Sequence, residues 1–516
     1  MQSLELPMTQ GSTSTTWKCP DLSGASTLGD IFEHHAHNSP SHLWVVWHDP
    51  SVSGDDKQGK ISYADWWNAI QQASRFLMEH CDLASNPVGP EHCRTVAIFS
   101  TLDPLSYIIL VQAIIYLRHV AFPLSACNSV EALVHLLQAT CCVGKPYRLQ
   151  VTEPPRFGAL FPKHGPVTSQ EAEEMAPIAQ PRRPGMSEVA LILHSSGSTG
   201  FPKPIHIMHS ACIDWMCIPW YGGHDICGLI VGVPSLPPFH AMGVNAYLWF
   251  TLGSGAVIGV FDPTSLPKSP SPENVLTGLK GAKVDWTLVV PSFLEAWAND
   301  PAAMTYLSTL KHMQMYAGSP IPMGVEDKLV SKGVNLVITY AATEFGCLHI
   351  FLPRQRRPRW LRFSTQNSHK LLPQDNDRIY ELVMVACDHY CPSATNVSEA
   401  AEYTTRDLVE LHPDNKDLFR VIGYIDDQVM LSTGEKMNSG PIEWVISTSL
   451  LVEHTVVFGC GKPQNGILLH PTEGNEIDPN DMVAVARFRS AMWDKVKEAN
   501  TFAPQHSYIL KEVNHL

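Results

Sequence analysis

The sequence predicts a multidomain α/β protein, and three observations carry that prediction. The chain has 516 residues, too many for one ordinary hydrophobic core. Apolar strand-like runs alternate with amphipathic helical stretches as far as about residue 340, the pattern of layered and largely parallel sheets. The texture then changes near "GYIDDQVMLSTGEKMN", after which about ninety residues remain, enough for a small α+β domain. A composition of 44% hydrophobic and 17% charged residues belongs to a folded chain rather than a disordered one.

Residues 1 to 24 are rich in Ser and Thr and read as a flexible tail. "TLGDIFEHHAHNSPSHLWVVWHD" reads as helix, turn and strand, with the histidines of "EHHAH" on a solvated helix face. In "ISYADWWNAIQQASRFLMEH" an amphipathic helix follows a polar start that Ser62 can cap. "RTVAIFS" is a buried strand, and "DPLSYIILVQAIIYLRHVAFPLS" a helix that leads into another. Residues 154 to 185 are a Pro-rich connection of low hydrophobicity. The most apolar run, residues 246 to 261, is too short to span a bilayer and reads as a buried helix end followed by a strand. Beyond the texture change, "HTVVFG" is a strand and "VARFRSAMWDKVKEAN" a helix.

Composition also excludes partners. A net charge of -14 with no basic stripe argues against nucleic acid, and no membrane partner is expected. The start lacks the cationic and apolar regions of a signal peptide. Thirteen scattered cysteines without paired CxxC sets read as free thiols in a cytoplasmic protein.

The chemistry is concentrated in "LILHSSGSTGFPKPI", residues 191 to 205. The glycine spacing fails the Walker template, and Pro202 forbids a helix starting directly after the lysine. The ingredients still suit phosphate. Glycines let backbone N–H groups approach an anion, hydroxyls donate to its oxygens, and Lys203 adds a point charge. A plain solvated turn is the alternative for this stretch alone. Further along come "PSLPPFHAMGVN" with His240, "YAGSPIP", "VITYAATEFGCL" with Thr343 and Glu344, "YTTRDLVELHP" with Asp407, and "GYIDDQVMLSTGEKMN" with Lys436. Each is weak by itself; their order and spacing are specific.

Together these motifs resemble the adenylate-forming superfamily, and within it the adenylation domain of fungal carboxylic acid reductases and related peptide-synthetase-like enzymes. "HSSGSTGFPKPI" resembles the phosphate loop, "TYAATEFG" the adenine and magnesium motif, and "TTRDLV" the ribose motif. The resemblance runs from about residue 27 to 510. It implies a large adenylate-forming domain over 25–425, of layered sheets and helices, and a small mobile α+β domain over 426–516 that hinges at Asp426. The implied reaction joins a carboxylate to ATP as acyl-AMP and releases pyrophosphate, with ATP and Mg²⁺ as cofactors.

By the same resemblance, Ser195, Ser196, Gly197, Ser198, Thr199, Gly200 and Lys203 hold the β- and γ-phosphates. Ala317, Gly318 and Ser319 line the adenine pocket with Tyr340, Ala341 and Ala342; Thr343 lies by the α-phosphate and Glu344 on the metal. Asp407 accepts from the ribose, and Tyr424 and Lys436 complete the nucleotide site. His240, Thr343, Glu344 and Lys203 are the candidate catalytic set. The acid pocket is assigned to Phe239, His240, Met242, Gly243, Val244, Asn245 and Gly318. Amino-acid-activating relatives carry Asp where His240 stands, so the expected substrate is a carboxylic acid without an α-amine, aryl for preference.

Two positions depart from the family pattern. Tyr424 follows Gly423 where relatives place arginine. The lysine-bearing stretch that follows the "HSYI" equivalent has no match, Lys511 being too early, so the small domain reads as shortened. No carrier-protein serine motif or GxGxxG occurs. The expected acceptor is therefore a phosphopantetheine thiol on a carrier protein; coenzyme A, or a weakly catalytic protein that binds nucleotide or acyl-adenylate, are the alternatives.

Overall fold

A computed structural model describes residues 7–22, 26–52, 57–83, 93–140, 151–164, 178, 183–195, 202–265, 268–310, 314–317, 321–348, 360–364, 367–374, 378–387, 390–397, 400–425, 428–430, 436–459, 464–501 and 508–511. For 314–317, 424, 428, 430 and 436–438 it describes the backbone alone.

Among these residues a seven-stranded sheet runs in the order Leu336–Thr339, Gln314–Ala317, Trp286–Val289, Ile230–Gly232, Val257–Val260, Leu43–His48, Gln58–Ser62. Every pairing in it is parallel except the last. A second sheet joins Thr95–Ile98, Val120–Pro123 and Val189–Ser195 in parallel and adds Lys203–Met208 antiparallel at its edge. Central parallel strands read as unbroken apolar runs because they are covered on both faces; Trp286–Val289 and Val257–Val260 are buried along their whole length, whereas Thr95–Ile98, at a sheet edge and read from sequence as buried, is buried only at Ile98. A third sheet, Ser368–Pro373, Ile379–Val385, Glu402–Leu411 and Phe419–Tyr424, is wholly antiparallel. After it the helices Gly440–Ser447 and Met482–Asn500 pack on the hairpin Val452–Phe458 and Gly466–Pro471, around Ile442, Val445, Met492 and Val496.

Local chemistry sets the helix ends as expected. Ser62 caps the Tyr63–His80 helix in a reciprocal box with Asp65, and Thr27 does the same with Asp30 for Leu28–Asn38. The Pro104–Tyr116 helix, apolar all round, is buried from Leu105 to Tyr116 between the layers.

Two expectations are corrected. The segment read as a tail is docked over residues 7–22. Trp17 is buried, and the Gln10 amide donates to Pro219 O and His224 O while its oxygen takes the Ile226 N–H. One indole offsets the segment's polarity by filling a socket in the main core, and Gln10 satisfies backbone groups that would otherwise be stranded. The histidines of "EHHAH" likewise do not all face solvent. His35 is fully buried, stacked 4.4 Å from the Trp17 ring and bonded to Leu252 O at 2.9 Å, and burial pushes its pKa down to about 3. The apolar run at 246–261 is a helix end and strand as expected, with a π-helical turn over Asn245–Phe250 ahead of it.

Candidate active site

Ser195, Ala317 and Tyr340 lie at or just past the carboxyl ends of strands with parallel neighbours, where open α/β sheets leave a crevice, while Asp407 and Tyr424 lie in the antiparallel third sheet. Val189–Ser195 carries Ser195 at its end, and the returning strand begins at Lys203, so the two face each other across the hairpin mouth. Lys203 is exposed there. Ser196, Gly197, Ser198, Thr199 and Gly200 lie outside the described residues, as do Gly318, Ser319 and Asp426.

Tyr340, Ala341, Ala342, Thr343 and Glu344 follow the Leu336–Thr339 strand, whose Thr339 pairs with Ala317. Ala341 and Ala342 form a two-residue ladder with Cys347 and Gly346. Gly346 has φ +74°, and a Cβ there would stand 2.3 Å from Trp215 Nε1, so only glycine closes this turn. The turn is held from behind: Ala394 N donates to Glu344 O at 3.1 Å and Tyr390 Oη to Phe345 O at 3.0 Å. Thr343 is buried and Glu344 half-buried.

Asp407 owes its position to a bulge. Glu381 pairs with Leu408 but Val383 with Thr404, so Thr405, Arg406 and Asp407 together oppose Leu382. Arg406 takes φ +60°, unusual for any residue other than glycine. Thr405 stabilises the bulge, donating to Leu382 O at 2.8 Å and accepting from Asp407 N at 3.1 Å. The Tyr340 hydroxyl donates to the Asp407 carboxylate. Burial pushes the Asp407 carboxyl up to about 6, the bonds from Tyr340 and Thr405 oppose that rise, and the charge of Glu344 adds to it. Tyr424 pairs with Asp407 across the strands, and Lys436 pairs with Met430 beyond. The adenine, metal and ribose candidates therefore form one cluster.

The acid-pocket candidates divide. His240 caps the short Ala241–Val244 helix, its Nδ1 accepting from Met242 N at 3.2 Å, and the residue is exposed. Surrounding protein atoms lower its pKa and favour the neutral imidazole. Phe239 packs on the Tyr107 ring at 6.5 Å, and Met242 is half-buried. The Asn245 Oδ1 is buried with no partner among the described residues.

Gly243 and Val244, expected to contact the acid, serve packing instead. Val244 is fully buried in the main core, and a Cβ on Gly243 would stand 1.9 Å from Pro237 O. Gly243→Ala is expected to cost about 1–3 kcal/mol by overpacking, read as a lower melting temperature. Unchanged melting would show that the Pro237 turn yields freely.

Family comparison bears on this geometry. A family model described as AMP-binding enzyme matches residues 32–368, and one described as AMP-binding enzyme C-terminal domain matches 426–515. The chain belongs to the AMP-binding enzyme family. This AMP-binding enzyme is 33% identical over 538 residues to the adenylate-forming reductase Nps10 of Heterobasidion annosum, covering 98% of this chain and 48% of that protein. It is 25% identical to the carboxylic acid reductase of Neurospora crassa, over 94% of this chain and 47% of that protein. The chain thus spans about half the length of the curated relatives it matches. The fold is shared with O-succinylbenzoate coenzyme A synthetase (MenE) from Bacillus subtilis in complex with AMP. That likeness has TM-score 0.65 and 15% identity, over 94% of this chain and 95% of the other. The family and its two-part α/β architecture are those the motifs implied.

Residues absent from the sequence reading also shape the site. Tyr390 and Trp215 brace the turn around Glu344, and His194, inside the quoted loop stretch, accepts from Ser125 N at 3.2 Å. Only the polar character of His194 at the end of an apolar strand could have drawn notice.

Proposed function

We propose that this AMP-binding enzyme activates a carboxylic acid without an α-amine, aryl for preference, as its acyl-adenylate. The acyl group then passes to the phosphopantetheine thiol of a carrier protein. The observation that carries the reading is Asp407, held in a bulge by Thr405 and Tyr340 beside the Thr343–Glu344 turn. An ionised carboxylate there can accept from two ribose hydroxyls.

The donor set fits magnesium brought in with ATP. Mg²⁺ takes most of its ligands from phosphate oxygens and water and needs one or two carboxylates. Glu344 offers one, and no cluster of three His, Cys, Asp or Glu among the described residues is placed to hold a metal ion alone. When bound, the ion neutralises phosphate charge. Lys203 and Ser195 would orient the phosphates from the mouth of the loop, and Thr343 would lie near the reacting phosphorus; the protein's contribution would be positioning and charge compensation. His240 supports the choice of acid, since a neutral imidazole is a poor partner for an ammonium group. Relatives named as reductases favour a carrier-bound thiol over free coenzyme A.

No helix among the described residues is long and apolar enough to cross a membrane. The cysteines among them form no disulfide with one another, which fits a cytoplasmic setting. The large domain at 25–425, the small one at 426–516 and a hinge at Asp426 belong to the same proposal. ATP–pyrophosphate exchange against a panel of aryl, aliphatic and amino acids tests the reading. Exchange with a few aryl acids supports it; exchange with amino acids alone, or nucleotide binding with no exchange for any acid, overturns it. Adding free coenzyme A or a carrier protein separates the two acceptors. Glu344→Gln is expected to lower Mg–ATP turnover by about 10²-fold, as for loss of one group at a developing charge, with melting unchanged. Full turnover at saturating magnesium would remove Glu344 from the metal.

A further inference from the structure

Residues 390–397, between the Ile379–Val385 and Glu402–Leu411 strands, touch the Glu344 turn at one end and the strand of Asp407 at the other. At the first end Tyr390 is anchored by exchanging backbone bonds with Cys387, at 2.8 and 3.2 Å. From there its hydroxyl donates to Phe345 O at 3.0 Å, and Ala394 N donates to Glu344 O at 3.1 Å. At the second end stands Asn396. Its Nδ2 donates to Thr404 O at 2.9 Å, and its Oδ1 accepts from Thr404 N at 2.8 Å and from the Thr404 hydroxyl at 3.2 Å. A strand residue points its N–H and C=O to the same edge. The register with the Phe419–Tyr424 strand ends at Asp407 and Tyr424, so Thr404 lies past that neighbour. The Asn396 amide supplies the donor and the acceptor that a further strand residue would have offered.

These bonds close a circuit around the nucleotide cluster. Asp407 takes the Tyr340 hydroxyl, and Tyr340 leads along the chain to Glu344. Glu344 O takes Ala394 N, Ala394 leads to Asn396, and Asn396 holds Thr404, which leads through the bulge back to Asp407. Aromatic rings fill the interior: Phe345 lies 5.6 Å from Tyr340 and 6.0 Å from Tyr403 between ring centroids, in one apolar cluster with buried Tyr390. Close packing of that kind resists moving one side of the circuit without the other.

We propose that residues 390–397 tie the ribose acceptor Asp407 to the metal carboxylate Glu344, with Asn396 as the positioning residue, so that the two ligand sites are set together. This rests on the reading that Asp407 takes the ribose and Glu344 the magnesium. Asn396 is exposed and belongs to neither candidate site; it acts through Thr404 on one side and through Ala394 on the other. The tie has a physical reason. Asp407 and Glu344 carry like charge, and the charge of Glu344 opposes ionisation of Asp407. Two carboxylates that repel need a frame to keep both in place before ribose hydroxyls and a cation arrive to compensate them. Holding them beforehand also spares the nucleotide the cost of ordering the site on binding.

Calorimetry on the full chain reads the two sites separately. The Kd for AMP in chelator reports the ribose side, and the factor by which Mg²⁺ tightens ATP binding reports the metal side. Asn396→Ala cuts the circuit beside the Asp407 strand; Tyr390→Phe cuts it beside the Glu344 turn and keeps the ring. Each variant should weaken AMP binding and also shrink the magnesium factor, each by about three- to tenfold, the size of one lost hydrogen bond. The KM for acid in pyrophosphate exchange should change less than twofold. A role in stability alone would lower the melting temperature and leave both binding constants intact well below it, and that result overturns the tie. So does a split result, with Asn396→Ala weakening only AMP and Tyr390→Phe shrinking only the magnesium factor, because two local props would then account for the contacts. A wild-type chain that binds neither AMP nor ATP would sink the nucleotide reading and the tie with it. Paired losses in a chain that shows no pyrophosphate exchange would uphold the tie and sink the adenylation reading alone.

Discussion

Asp407→Asn is expected to raise the KM for ATP roughly 10- to 100-fold, the loss of a charged acceptor to hydroxyl donors being worth about 1.5–3 kcal/mol. The acid KM should move little, because Asp407 belongs to the cluster of Tyr340, Thr405 and Glu344 and not to the His240 side of the crevice. Stability should respond in the opposite sense. The Asp407 carboxyl titrates near 6 in the folded chain, above its ordinary value of 3.8, chiefly through burial. Its contribution to stability is therefore fully present below about pH 4 and is lost as the pH rises through about 6. At pH 7 the ionised side chain is a cost that asparagine does not carry. The variant should melt at the same temperature as wild type, or higher, at pH 7–8, and lose that advantage toward pH 4. In wild type the KM for ATP should climb as the pH falls through 6, since a protonated carboxyl accepts poorly. A variant that binds ATP normally would remove Asp407 from the ribose; one that melts lower at pH 7 would show that its bonds to Tyr340 and Thr405 outweigh its burial.

The parts of the site that depend on residue type at short spacing were legible in the sequence. Thr343 beside Glu344, the threonines before Asp407 and the change of texture past residue 424 needed no knowledge of packing. What stayed hidden depends on contacts between distant positions. The Tyr340 hydroxyl reaches a carboxylate 67 residues away, and the His35 ring a carbonyl 217 residues away. A helical histidine that serves a partner so remote has the same local signature as one facing water, which is why "EHHAH" misled. Trp17 sits among polar residues, and polar neighbours outvoted one indole until the socket that receives it was visible. Gly243 and Val244 follow His240 directly, yet the helix that begins there turns both into the protein, and one-dimensional adjacency does not report that turn.

Glu410→Gln is expected to cause the largest stability loss. Glu410 is 1% exposed, with Oε1 2.7 Å from Arg378 Nη2 and Oε2 2.7 Å from Arg420 Nε. Replacing it removes the buried carboxylate that both guanidinium groups reach, where water compensates poorly. Breaking a buried pair from one side costs roughly 3–5 kcal/mol, and the lower end applies because the Arg378 side chain reaches solvent. Arg420 has a second attachment. Its guanidinium lies between the Trp360 ring at 4.9 Å and the Trp444 ring at 4.1 Å. Trp444 belongs to the Gly440–Ser447 helix, beyond the Asp426 position proposed as the hinge, so this one cation joins the third sheet to the C-terminal part of the chain. Two substitutions separate its roles. Glu410→Gln should lower the melting of the large domain itself. Arg420→Lys keeps a charge for Glu410 but gives up the planar stacking, so it should melt closer to wild type while the Gly440–Ser447 helix that carries Trp444 exchanges its amide hydrogens faster. Equal melting losses in the two variants would mean that the planar stacking on the indoles is worth as much as the ion pair, and a lysine variant melting like wild type would mean that it adds nothing. Normal melting of Glu410→Gln would mean that the Glu410 ion pair is not what holds Arg420.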